Sequence, residues 1–189
     1  MIRSSEVEVP QFPAELSSIS TGRLLETYAE APARLARALD GIGEEEVRVR
    51  AIPGKWTIQE IALHLADSEI TGAIRVRKVL AERRPELPGY NQELFATGLG
   101  YLGRDAMFRR AALHGFRNLR ETTAALFESA SAADWKREGI HPIMGPLTLR
   151  QLLEMYADHG ERHIGQILEL RRGLGHPCDM TVLLPALVY

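Results

Sequence analysis

Hydrophobic residues recur every three or four positions in four long stretches of the chain, which is the spacing of one buried face of an α-helix. In the first stretch, Leu24, Tyr28 and Leu35 fall on one such stripe. Segments rich in glycine and proline separate the stretches and predict breaks between helices. The pattern therefore predicts four helices, at about 20–40, 57–83, 104–129 and 148–172.

Two local signals refine these helices. Thr57 is followed three residues later by Glu60, which predicts a capping box at the start of the second helix. Pro32 lies inside the first helix and is expected to kink or restart it. Residues 46–52 alternate like a strand, but one short strand without a partner cannot form a sheet, so we expect an extended connection.

The helix lengths and connections predict the fold class. Helices of this size are about 30 to 40 Å long, which is the scale of a four-helix bundle. The connection at about 84–103 is long enough to run back along a whole helix, which permits helices 2 and 3 to run parallel. We therefore predict an all-α bundle in up-down-down-up order. We expect residues 1–189 to form one domain, with the bundle at about 20–173 and an apolar tail at 174–189 that docks on it or on a second subunit.

Composition and charge exclude several classes of function. The formal net charge is -2, so no overall cationic field attracts nucleic acid or an acidic membrane. Cys178 is the only cysteine, which excludes an intramolecular disulfide and a cysteine-rich zinc site. No stretch approaches the roughly 20 apolar residues of a membrane span, and the first residues lack the apolar core of a signal peptide. We expect a cytoplasmic protein without a nucleic-acid or membrane partner.

Three of the six histidines are candidate metal ligands. His159 and His163 are four residues apart, so both rings project from one side of the fourth helix, near its apolar stripe. His64 similarly flanks the apolar face of the second helix and is the natural third ligand. The residue after His159 is Gly160, so the chain lacks the H-E-x-x-H motif of zinc proteases. From the residues alone, a pair of core histidines bonded to carbonyl groups or water remains the alternative.

Other polar residues are expected to be structural. His114 lies opposite the apolar face of the third helix and is predicted to be exposed. His141 and His176 each precede a proline in a loop, where a structural or capping role is expected and pocket lining is the alternative. The basic residues of the second helix are expected to form a solvated face; they are Arg75, Arg77, Lys78, Arg83 and Arg84.

Two blocks of sequence resemble a known family. GKWTIQEIALHLADSE is followed after about 90 residues by GIHPIMGPLTLRQLLEMYADHGERHIGQILEL, and together they resemble the DinB/YfiT-like family of small bacterial metalloproteins. The resemblance runs from about 24 to 173 and implies an up-down-down-up bundle, commonly dimeric, that holds a zinc or nickel ion. The ligand positions of the family fall on His64, His159 and His163. Many relatives carry further histidines or an aspartate in the block between the last two, where this chain has Gly160, Glu161 and Arg162.

The resemblance leaves the reaction open. Some members of the family are described as metal-dependent hydrolases, and others are similar to S-transferases that use bacillithiol, mycothiol or a related low-molecular-weight thiol. Three neutral imidazoles leave an open position on the ion, as in catalytic zinc sites, where either water or a thiol would be activated. Asp67, one turn after His64, is a weak candidate for a catalytic proton acceptor, and Gln166 is a candidate partner of a ligand.

The sequence therefore predicts a metal-dependent enzyme that acts on a small-molecule substrate. The first hypothesis for the reaction is hydrolysis by metal-activated water. Thiol transfer, with the thiol as co-substrate, and a non-catalytic metal-binding or stress-response bundle are the alternatives. A homodimer with one divalent ion per chain is expected.

Overall fold

A computed structural model describes residues 14–184 of the chain. Within them lie helices α1 (Ala14–Ser18), α2 (Thr21–Leu39), α3 (Ile58–Ala81), α4 (Gln92–Gly98), α5 (Ala106–Glu128) and α6 (Leu149–Gly173), and strands β1 (Glu138–His141) and β2 (Gly145–Thr148). The four long helices α2, α3, α5 and α6 match the four predicted stretches. None of the helices in this part of the chain combines the length and apolar character needed to cross a membrane.

The helix starts follow the local sequence signals. The Thr57 hydroxyl accepts a hydrogen bond from the Glu60 amide at 3.2 Å, and the Glu60 carboxylate accepts one from the Thr57 amide at 2.7 Å. This is the predicted capping box, and Thr148 and Gln151 form a second one at the start of α6. Helix α2 continues through Pro32 without a restart.

Helices α2 and α6 run parallel. At their beginnings, Arg150 of α6 donates a hydrogen bond to the Thr21 hydroxyl of α2 at 3.1 Å. Near their ends, Arg171 donates to the carbonyl oxygen of Ala38 at 2.8 Å. Contacts between beginnings and between ends require the same direction for both helices.

Helices α3 and α5 also run parallel. Arg109, early in α5, donates to the side chain of Gln59, early in α3, at 2.6 Å. Arg77, late in α3, donates to the Thr123 hydroxyl, late in α5, at 3.0 Å.

Helices α3 and α6 are antiparallel neighbours. Tyr156, early in α6, lies beside Gly72 and Arg75, late in α3, and a Cβ atom at Gly72 would lie only 2.7 Å from the tyrosine ring. His159, further along α6, lies beside His64, early in α3. With α2 parallel to α6 and α3 parallel to α5, the order is up-down-down-up, as predicted.

The connections contain regular structure that the sequence reading did not predict. Strands β1 and β2 form an antiparallel hairpin, so the described chain carries a small two-stranded sheet beside its helices. The long connection after α3 contains α4. The segment at 46–52 begins with a short 3-10 turn (Glu46–Arg48) and forms no strand. Phe108, in the first turn of α5, is exposed, and Arg104 lies over one face of its ring.

A buried ion pair divides the core into two apolar halves. Arg120 of α5 donates to Glu69 of α3 at 2.5 Å, and both side chains are 1% exposed. The same guanidinium donates to the carbonyl oxygens of Tyr28 in α2 at 3.1 Å and Tyr156 in α6 at 3.0 Å. The Tyr28 hydroxyl donates to the other Glu69 oxygen. One arginine therefore joins all four long helices.

The C-terminal segment packs on the bundle of its own chain. Leu184 is buried in the core half that contains the beginnings of α2 and α6. Glu161 accepts two hydrogen bonds from Arg34, at 2.6 and 2.9 Å, and one from the Leu183 amide at 2.6 Å. Residues 185–189 of the predicted tail lie outside the described residues. The homodimer stays a prediction.

The turn of the hairpin is closed by a histidine. The Nδ1 atom of His141 accepts hydrogen bonds from the amides of Ile143 at 3.3 Å and Met144 at 3.2 Å, as expected for a structural loop histidine. Burial, with a smaller contribution from the charge of Arg75, lowers the pKa of His141 to about 4. The folded protein therefore holds this ring neutral at neutral pH.

We expect replacement of Arg120 by Met to lower the free energy of unfolding by about 3 to 5 kcal/mol, because Glu69 is left as an unpaired buried charge. Urea unfolding followed by circular dichroism measures this loss. The matched control is Arg117→Met on the exposed side of α5, where the pair with Glu121 contributes about 0 to 1 kcal/mol. An equal decrease in the free energy of unfolding in the two variants would contradict the larger effect expected for the buried pair.

We also expect His141 to make the chain less stable in mild acid. Its folded pKa of about 4 lies below the unfolded value near 6.5. As the pH falls from about 6.5 to about 4, only the unfolded chain therefore takes up this proton. The free energy of unfolding decreases across that window, by at most about 1.4 kcal/mol per pH unit. Urea unfolding at several pH values should give a shallower loss for His141→Gln, whereas His114→Gln, at an exposed position, should keep the parent slope.

Candidate metal centre

The three predicted histidines meet where the beginning of α3 lies against the later half of α6. His64 is in the second turn of α3, whose start is fixed by the capping box at Thr57. His159 and His163 are one turn apart on α6. Because the two helices are antiparallel, these positions lie at the same level of the bundle. The topology thus joins residues separated by 95 positions in the sequence.

The ring nitrogens converge on one point. The Nε2 atom of His159 lies 3.1 Å from the Nε2 atom of His64 and 3.1 Å from that of His163. One ligand atom from each of the three residues lies within 4.8 Å of the others. A common ion can therefore reach all three rings.

The donor chemistry of the cluster fits a divalent ion. The Nδ1 atom of His163 lies 2.8 Å from the amide oxygen of Gln166, which can only accept, so the hydrogen of this ring is on Nδ1 and Nε2 presents its lone pair. The Nδ1 atom of His64 is buried and has no hydrogen-bond partner among the described residues. Three facing nitrogens cannot all be satisfied by one another, whereas an ion accepts a lone pair from each.

Burial keeps these imidazoles neutral. Burial and, to a smaller extent, the nearby His163 together lower the pKa of His64 to about 3. Burial lowers the pKa of His163 to about 4, against the opposing effect of its hydrogen bond with Gln166. Burial also holds the pKa of His159 well below its usual range. At neutral pH the lone pairs are free to bind a metal without displacing a proton.

A cavity of about 210 Å³ opens beside His163. The Trp56 ring lies edge-on to His64, with 4.9 Å between ring centroids. The connection before α3 therefore forms part of the cavity wall. The lining residues come from this connection, α3, the start of α4 and the end of α6: Ile52, Gly54, Lys55, Trp56, Ile61, Gln92, Glu93, His163, Gln166, Glu169 and Leu170.

The hydrogen-bond partner of Asp67 is a tyrosine and not one of the three histidines. Its Oδ2 atom accepts a hydrogen bond from the Tyr101 hydroxyl at 2.5 Å. Burial, followed by this contact with Asp67, raises the pKa of Tyr101, so the tyrosine stays a donor. The observed partner of Asp67 is thus the segment after α4, and its catalytic role stays a prediction.

The sequence reading missed two polar or aromatic residues near the centre. Tyr90 lies with its ring centroid 6.5 Å from that of His64, and Gln92 lines the cavity. Both belong to the long connection after α3, which has no helical periodicity, and the one local signal was the helix cap at Asn91.

Arg75 corrects the prediction of a solvated basic face. Its side chain is buried and donates to the Tyr156 hydroxyl at 2.9 Å, because α6 and the connection after α3 cover this side of α3. His114 is exposed, as predicted, and takes no part in the centre.

Known proteins resemble this chain over most of its length. A Bacillus subtilis protein named "Putative metal-dependent hydrolase YfiT" is 26% identical over 161 residues, which cover 85% of this chain and 89% of that protein. A protein of Oceanobacillus iheyensis that is also called a "Putative metal-dependent hydrolase" is 24% identical over 160 residues, covering 85% and 91%.

A solved structure shows the same fold. The Bacillus subtilis protein YfiT, described as "a probable metal-dependent hydrolase with an unusual four-helix bundle topology", superposes with a TM-score of 0.78 at 27% identity, covering 87% of this chain and 94% of that one. The family model of the DinB superfamily matches residues 27–167. With its four-helix bundle and its three-histidine cluster, this chain therefore belongs to the DinB superfamily.

Proposed function

We propose that this protein is a metal-dependent hydrolase of a small molecule and that His64, His159 and His163 hold its divalent ion. The observation that carries the proposal is the convergence of three neutral imidazole nitrogens beside an open cavity. Three protein ligands leave a coordination position free, which is typical of catalytic rather than structural sites. The names of the relatives support the same class of reaction.

An ion bound there supplies Lewis-acid chemistry, since it lowers the pKa of a water molecule and polarises a substrate carbonyl. Zinc and nickel both suit imidazole ligands. The residues of this chain prepare the site for that chemistry. Gln166 fixes the proton of His163 on Nδ1, and the Trp56 ring packs edge-on against His64 and helps to fix its orientation.

The same centre would also deprotonate a thiol, so S-transfer from a low-molecular-weight thiol is the alternative reaction. A non-catalytic bundle stabilised by its ion is the alternative from another class. The experiments below give different results for the three cases.

We expect about one zinc or nickel ion per chain after purification without an affinity tag, and loss of that ion in His159→Ala, because two imidazoles hold a divalent ion far more weakly than three. Elemental analysis measures the content. Gln166→Leu should keep the ligands but lower metal affinity by about 10- to 100-fold, since His163 loses the acceptor that fixes its proton. His114→Ala is the exposed control and should bind like the parent. Equal metal content in the parent and His159→Ala would contradict the assignment.

We expect the metal-loaded chain to hydrolyse members of a panel of small esters and amides, and a chelator to lower kcat/KM by at least about 100-fold while the helical circular dichroism persists. The bundle should remain folded because its two apolar core halves and its buried ion pair do not include the histidines. Product analysis in the presence and absence of a thiol such as cysteine distinguishes hydrolysis from transfer. Unfolding on metal removal would instead indicate a structural ion and contradict the proposal.

A further inference from the structure

A second cavity, of about 220 Å³, is lined by Tyr90, whose ring centroid lies 6.5 Å from that of His64. It opens to solvent between α3, the segment at the start of α4 and the hairpin turn. The residues that line it are Arg75, Gly89, Tyr90, Gln92, His141 and Ile143. Neither the proposed metal ligands nor their hydrogen-bond partners belong to this set.

The cavity contains a buried cation. Arg75 is 5% exposed. Its Nε and Nη2 atoms donate to the carbonyl oxygen of Pro88 at 3.0 and 2.6 Å, and its Nη1 atom donates to the Tyr156 hydroxyl at 2.9 Å. A guanidinium has five N–H groups, so these contacts leave one on each terminal nitrogen.

No carboxylate offsets this charge within the described residues. None of the ion pairs between residues 14 and 184 includes Arg75. The charged neighbours on α3 have other partners: Glu69 pairs with Arg120, and Lys78 pairs with Glu82. The partners of Arg75 are neutral oxygens. A buried positive charge without a counterion is costly, and an anionic ligand would remove that cost.

His141 offers a second donor to the same cavity. Its Nδ1 atom accepts from two amides of the hairpin turn, so its hydrogen is carried by Nε2. His141 is 9% exposed, and within the described residues its side-chain hydrogen bonds are the two that Nδ1 accepts. The turn therefore fixes a neutral ring whose free nitrogen is a donor.

The walls of the cavity are held in place by the backbone. The Leu87 amide donates to the Ile140 carbonyl at 2.9 Å, and the Ile140 amide donates to the Pro85 carbonyl at 2.8 Å, so the segment before Tyr90 pairs with β1. At Gly89 a Cβ atom would lie 2.8 Å from Pro142. Tyr90 and His141 are thus fixed relative to each other by strand pairing and by this close approach.

We propose that this cavity binds a carboxylate group between the free N–H groups of Arg75 and the Nε2–H of His141. Arginine is the side chain that best matches the planar, two-oxygen geometry of a carboxylate. Resting on the proposed hydrolase function, the inference also names the substrate class: a carboxylic acid whose ester or amide bond reaches the histidine cluster.

The positions of the two sites favour an elongated substrate. His64 and Arg75 are separated by about 16 Å along α3. Tyr90 lines the second cavity, and its ring centroid lies 6.5 Å from that of His64. Gln92 lines both cavities, so the two are neighbours.

Benzoate and benzamide test the site, because they have nearly the same shape and differ in the negative charge. We expect calorimetry with the zinc-supplemented chain to give a Kd at least about tenfold lower for benzoate. Arg75→Gln should abolish the preference, and His141→Leu should reduce it by about fivefold, the weight of one neutral hydrogen bond. The matched control is Arg77→Gln, at an arginine of α3 that contacts α5 and should keep the parent preference.

Circular dichroism and melting curves check that each variant folds. If Arg75→Gln does not fold, His141→Leu still decides, since the only described bonds of His141 are to the hairpin turn. Equal Kd values for the two probes in the parent chain, or a benzoate preference that survives both substitutions, would overturn the inference.

His159→Ala separates this inference from the proposed hydrolase function. Benzoate bound between Arg75 and His141 should retain its affinity in this variant, whereas benzoate bound on the metal would lose it and overturn the carboxylate site. Conversely, a chain without metal or hydrolysis that still prefers benzoate would contradict the proposed function alone.

Discussion

The ion pair between Glu69 and Arg120 is the contact on which the arrangement of the four long helices depends. A buried guanidinium must be surrounded by acceptors, and those acceptors come from α2, α3 and α6 while the arginine belongs to α5. Only one relative placement of the helices supplies them together. The pair is therefore better understood as a device that specifies the up-down-down-up packing than as a large source of stability, since apolar residues of similar size often stabilise a core as well.

The candidate metal centre is built immediately beside this polar layer. His64 precedes Glu69 by little more than one turn of α3, and His159 follows Tyr156 by less than one turn of α6. Placement of Glu69 and Tyr156 around Arg120 thus also sets the distance between the two helices at the histidines. The low dielectric of the same region keeps the imidazoles neutral, so one environment provides both the geometry and the protonation state that metal binding needs.

Much of the bundle and the histidine cluster follow from local information. Helical periodicity and the capping box at Thr57 predict the helices to within a few residues, and residues four apart must share a helix face. The third candidate ligand, His64, follows from its position beside the apolar face of its helix, and the family resemblance implies the same residue. What the sequence did not predict depends on distant contacts. The sequence predicts Arg75 at the surface, because its partners Pro88 and Tyr156 are distant in sequence and contact it only in the folded chain.

The hairpin shows the same limit from another direction. Residues 46–52 have the alternation of a strand but lack a partner, whereas residues 138–148 contain Pro142 and two glycines and still pair. Pairing depends on how the end of α5 and the start of α6 position the connection between them. It also depends on the segment at 85–87, which pairs with β1. Propensity alone cannot report such neighbours.

Gly72 illustrates how a residue without functional groups constrains chemistry elsewhere. It is the point where α3 approaches the Tyr156 ring so closely that even a methyl group would not fit without movement. That ring holds Arg75 through its hydroxyl and precedes His159 on α6. A larger residue at this position would push α3 and α6 apart. The separation would also change at the histidine cluster and at Arg75, neither of which it touches. Metal binding at the histidines and carboxylate binding at Arg75, as proposed above, would therefore be mechanically linked, because a change in helix spacing would alter both sites.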